Sequence, residues 1–178
     1  MSPLFARTGR APAEVVQRAA LRRGDVLAHT RGEDGTWLLG TREELVVVPP
    51  DGEVLRIGWE RVETADWDRD EERFRVTEVA DFGRVRPQHT FTVAEPGRFL
   101  PLVRERVTAS VLLQRRVLVD ASRGLLVVAR RTPGRDGEVT WAVDYDPGLD
   151  PDDPVVRLAA DEALEAAAAE LGTDPASI

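Results

Sequence analysis

Turn signals cut residues 25–95 into short pieces, and no helix of ordinary length fits between them. GEDG at 32–35, Pro49-Pro50-Asp51-Gly52 and the acidic run DRDEE at 68–72 each separate two apolar stretches. The stretches are DVLAHTR (25–31), TWLLG (36–40), ELVVVP (44–49), EVLRIGW (53–59), VETADW (62–67), RFRVTEV (73–79) and HTFTV (89–93). Leu55, Ile57 and Trp59 alternate with polar or small residues, as do Phe74 and Val76, and Phe91 and Val93. Seven short antiparallel strands are the expected outcome, because one face of each buries while the other stays wet.

The period changes after Glu95-Pro96-Gly97. Phe99, Leu102, Val103, Val107 and Val111 recur at helical spacing, which predicts a helix over 98–113 with Pro101 in or near its first turn. RRVLVD (115–120), a turn at ASRG and LLVVARR (125–131) then predict a hairpin, and EVTWAVDY (138–145) predicts a third strand. A helix is expected over 154–171, capped by Asp153, opened by Pro154 and ended by Gly172, with Val156, Ala160, Ala163, Ala167 and Leu171 as its buried stripe. At the other end, APAEVVQRAALRR (11–23) predicts a short helix stopped by Gly24.

Composition mostly excludes. Without cysteine there are no disulfides, thiolate metal sites or cysteine nucleophiles. Every basic residue is Arg, so lysine Schiff bases and phosphate-loop lysines are excluded too. No run approaches the length of a membrane span, and MSPLFARTGR lacks a signal-peptide core, so a soluble, cytoplasmic chain is expected. The net charge is −8, which disfavours nucleic acid and anionic membranes. That charge falls in blocks. Residues 1–24 carry five Arg and one acid, 25–95 nine Arg and 17 acids, 96–136 nine Arg and three acids, and 137–178 one Arg and eleven acids. Such blocks can pair within the fold or between copies.

Seven antiparallel strands followed by a helix, together with Ile57-Gly58-Trp59-Glu60-Arg61-Val62, resemble the pleckstrin-homology-like barrel of bacterial proteins over about residues 25–113. The segment from Glu95 to Leu113 and DPGLDPDDP at 146–154 resemble pieces of actinobacterial proteins, a likeness that implies no activity. The barrel resemblance implies a seven-stranded barrel closed by a helix (25–113), and the residue pattern adds a helical arm (1–24) and an extension of three strands and a helix (114–178), an α+β fold in all. The resemblance also implies a non-enzymatic module that binds a protein partner, and the charge blocks add binding to itself; no cofactor is expected. Lipid-binding members of that family hold the headgroup near the first two strands. Here Arg31-Gly32-Glu33-Asp34-Gly35 would meet phosphate with two carboxylates and one Arg, so phosphoinositide binding is disfavoured.

Two other readings rest on residues. If ASRG is the hairpin turn, Arg115 or Arg116 faces Arg130, with Arg131 beside it, and facing like charges need an acid or a bound anion. These four form the candidate anion or partner site. An enzyme would instead need carboxylates gathered into a pocket that spacing does not reveal. No catalytic residue is assigned. Asp144, Asp146, Asp150 and Asp152 lack the glycine and glutamate of a calcium loop, so turn and capping roles are expected. His29 and His89 are read as structural strand residues, and no metal is expected.

Overall fold

The computed structural model describes residues 10–80 and 85–173. Among them, the arm supplies one short helix, α1 (Ala13–Arg18), which ends well before Gly24. The Ala20 N–H bonds to the Gln17 carbonyl, and the Leu21 N–H bonds to the Val16 carbonyl. This is a Schellman stop, and it requires a left-handed residue at Ala20, whose φ is +51°. The early stop turns Leu21 back onto the sheet below, where it packs with Val15 and Ala19. Alanine tolerates that backbone poorly. Ala20→Gly is therefore expected to gain about 0.5–1 kcal/mol and to raise the melting temperature by about 2 °C. A lower melting temperature in scanning calorimetry would refute this account of the helix end.

β1 (Ala28–Arg31), β2 (Trp37–Gly40), β3 (Glu44–Val48) and β4 (Leu55–Gly58) form an antiparallel sheet in that order. Its two faces go to different cores. Leu39, Val46 and Val48 pack on α1, while Leu38, Leu45, Val47 and Ile57 face the opposite way. That division follows the period-two alternation of LLG and LVVV.

β5 (Val62–Asp68), β6 (Arg73–Glu78) and β7 (Gln88–Thr92) make a second sheet. Here the structure corrects the barrel expectation. The seven strands form separate sheets of four and three, and among the described residues no closed barrel exists. The ladder breaks after β4 because Trp59–Arg61 coil into a 3-10 turn instead of extending the strand. Trp59 is fully buried there, and its Nε1–H donates to the Thr41 carbonyl at 3.1 Å. Its indole, Val62, Phe74 and Val76 join the first sheet's inner face in one core.

α2 (Phe99–Ser110) closes that core with Phe99 and Val103. It stops three residues short of the expected Leu113, and β8 (Val111–Leu118) begins at once. Residues 111–113 are taken by the β8 ladder, which pairs Val111 with Arg130 and Leu113 with Ala129. β9 (Gly124–Arg130) and β10 (Thr140–Tyr145) complete a third antiparallel sheet, ordered β10-β9-β8. The α+β class holds, as three antiparallel sheets with three α-helices among the described residues.

α3 (Pro154–Leu171) runs over the stretch its caps predict. Asp153 accepts from the Val155 N–H, Pro154 opens the helix, and Gly172 at φ +65° closes it. Ala160, Ala163 and Ala167 allow the helix to lie close on Leu125, Val127 and Trp141, forming a core separate from that under α2.

Candidate functional site

The four arginines singled out by the sequence do not assemble. Arg130 lies opposite Val111, whereas Arg115 and Arg116 lie opposite Val127 and Leu126. The expected register fails at the turn. Asp120 accepts the Ser122 and Arg123 N–H groups, which tightens the loop and lets Gly124 join β9 opposite Leu118. Those two backbone donors, with the Arg123 guanidinium, hold the Asp120 carboxyl down at about 2. Each strand arginine then finds its own acid. Arg115 pairs with Glu170 at 2.6 Å and Arg116 pairs with Asp146. The basic 96–136 block thus meets the acidic 137–178 block within one chain. Asp146 also accepts the Gly124 N–H at 2.8 Å, and that bond, followed by Arg116, lowers its pKa. Arg131 makes no side-chain bond among the described residues, and its N–H donates to the Ser110 carbonyl.

Arg130 is the exception, being only 7% exposed. Its guanidinium donates to the Ser110 Oγ at 3.2 Å and to the Glu63 carbonyl at 3.4 Å. Arg86 bridges the Glu63 and Asp144 carboxylates at 3.0 and 2.6 Å. Burial, and then the Asp144 charge, push the Glu63 carboxyl above its usual range. A raised carboxylate can mark an acid catalyst. Here the group is tied by Arg86 and bridges the second sheet to the third, which is the geometry of a latch.

A carboxylate-lined cavity does exist, of about 400 Å³, with Asp25, Glu43 and Glu44 in its wall. All three acids are engaged. Asp25 accepts the Arg22 N–H, Glu43 pairs with Arg135 at 2.6 Å and Glu44 pairs with Arg56. His29 and His89 sit in different sheets; His29 leans on Trp37 and His89 bonds Glu78 at 2.7 Å. Among the described residues no group of three His, Cys, Asp or Glu is placed to hold a metal. Asp150 and Asp153 serve turn and cap.

The arrangement that stands out lies at the β1 edge of the first sheet. A cavity of about 310 Å³ is lined by Arg10 from the arm, Arg23 from the turn after α1, His29 on β1 and Arg98 at the start of α2. α1 and α2 cover opposite faces of that sheet, so arginines from both sides converge around its free edge. None of the three makes an ion pair or side-chain hydrogen bond among the described residues, and no carboxylate lines the cavity. Val16, Val26, Leu27 and Ala28 supply an apolar wall.

The chain matches no family model, no curated protein and no solved structure.

Its functional reading therefore rests on this geometry. Sequence reasoning missed the site because its arginines are spread from position 10 to position 98 without a motif. The one signal was coarse: the site joins the basic block at 1–24 to the basic block at 96–136. No helix among the described residues is long and apolar enough to cross a membrane.

Proposed function

We propose that the protein is a non-enzymatic binding module that takes a small anion in the Arg10, Arg23, His29 and Arg98 cavity. The convergence of three guanidiniums that are unpaired among the described residues, with no acid lining the cavity, carries this reading. A chain with net charge −8 pairs many of its arginines, yet leaves these together. Cations gathered without a counter-charge repel each other and favour an anion that enters among them. The volume sits near the lower end of ligand pockets, about 300–1,000 Å³, which suits a small molecule better than a folded partner.

The test is isothermal titration calorimetry at low salt with inorganic phosphate, phenyl phosphate and benzoate. At least one is expected to bind with one-to-one stoichiometry. The double variant Arg23→Gln/Arg98→Gln is expected to lose that binding by at least tenfold while melting normally, since each charge-assisted bond is worth about 1.5–3 kcal/mol. Absence of heat with all three probes would overturn the reading.

A further inference from the structure

We infer that the ligand of this cavity is a phosphomonoester carrying a small apolar body, an inference that rests on the anion-binding reading above. The first argument is a match of donors to acceptors. Arg10, Arg23 and Arg98 present three guanidinium forks, each suited to a pair of oxygens or to one oxygen held twice. A phosphomonoester has three terminal oxygens and a charge of about −1.5 to −2 near neutral pH. A monocarboxylate has two oxygens and one charge, which leaves at least one fork without an acceptor. His29 adds a further ring nitrogen, and its imidazole makes no hydrogen bond among the described residues. Its ring is instead braced on Trp37, with centroids 5.6 Å apart, so its place in the wall is held by packing.

The second argument concerns the rest of the wall. Val16 is buried and lines the cavity together with Val26 and Ala28. Leu27 is 49% exposed, one of few large apolar side chains left so open. It lines this cavity and also the neighbouring one that holds Glu43 and Glu44, so it forms the ridge between a basic and an acidic hollow. An exposed leucine alone is ordinary. Here it adjoins three cations that have no partner among the described residues, and supplies the contact that a bare inorganic ion cannot use. The cavity volume of about 310 Å³ leaves room for a body about the size of one ring.

Because the protein as a whole is acidic, long-range attraction contributes little. Affinity must come from close contacts within the cavity, with fork geometry and the Leu27 wall both contributing.

The experiment is titration of the full chain with phenyl phosphate, inorganic phosphate and benzoate, and of two variants with the same probes. Phenyl phosphate is expected to bind at least tenfold more tightly than either of the others. Leu27→Ser is expected to weaken phenyl phosphate about five- to tenfold and to leave inorganic phosphate unchanged. Arg98→Gln is expected to weaken both phosphates about tenfold. Benzoate binding as tightly as phenyl phosphate would overturn the phosphoryl assignment while leaving the anion reading intact. Equal affinity for inorganic and phenyl phosphate, or no effect of Leu27→Ser, would overturn the apolar body. Silence from every probe would sink both readings together. The circular dichroism melt of each variant separates loss of the site from loss of the fold, and a variant that melts normally without the expected change counts against the inference.

Discussion

Arg130→Ala is expected to destabilise the protein by about 3 kcal/mol, a large fraction of the stability of an ordinary domain. Arg130 is 7% exposed, and its guanidinium joins three elements: Ser110 at the end of α2, the Glu63 carbonyl on β5, and its own strand β9. Removing it leaves the fully buried Ser110 hydroxyl without a donor and the Glu63 carbonyl short of one. It also removes a positive charge that, after Arg86, offsets the partly buried Glu63 carboxylate. Those carboxylates keep Arg86, so the loss stops short of an isolated buried charge. Urea denaturation measures the effect as a shift in midpoint. The core under α3 is separate from the one under α2, so the variant should also unfold less cooperatively, with a lower m-value or two transitions. The pair Arg130→Met/Glu63→Gln is expected to recover part of the loss, because it replaces both charges at once. A midpoint equal to that of the parent protein would show that the sheets are not latched at Arg130.

Trp59→Ala carries a larger expected cost, about 4 kcal/mol. The indole is fully buried where the chain leaves the first sheet for the second, in the same core as Leu45, Ile57, Val62 and Phe74. Truncation opens a cavity between two sheets that share no ladder and so depend on side-chain packing to stay together. It also leaves the Thr41 carbonyl without its indole donor. Trp59→Phe keeps most of the volume and loses the 3.1 Å hydrogen bond, so about 1–2 kcal/mol is expected. Chemical denaturation of the two variants separates packing from hydrogen bonding. Equal losses would assign the effect to the bond, and a loss below about 1 kcal/mol for Trp59→Ala would mean that the junction is packed by other residues.

Some of this architecture is legible residue by residue. α3 starts and stops at its predicted ends because its signals are local: Asp153 caps, Pro154 presets φ, and Gly172 takes the left-handed turn. The strands of the first two sheets fall within two or three residues of their alternating segments, because period-two burial is written into each one alone. Ala20 shows where local reading fails. Nothing about an alanine announces a left-handed backbone, and the turn forms there because Leu21 has a core to enter.

Pairing and convergence were not legible. The expected barrel failed at Trp59–Arg61, where burying one indole outweighs continuing a strand. The expected Arg130 pairing failed because Asp120 tightened the turn at the far end of β9 and moved the ladder. The arginine cavity needed α1 and α2 on opposite faces of one sheet before Arg10, Arg23 and Arg98 could meet. By itself, then, the sequence determined the α+β class, the caps of α3, the strand faces and the exclusion of cysteine and lysine chemistry. All of these depend on residue identity or on neighbours a few positions away. Only the tertiary structure decided which strands share a sheet, which acids neutralise which arginines, and which arginines have no acid beside them among the described residues. Those outcomes depend on contacts between residues far apart in the chain, where competing pairings differ by only a few kcal/mol.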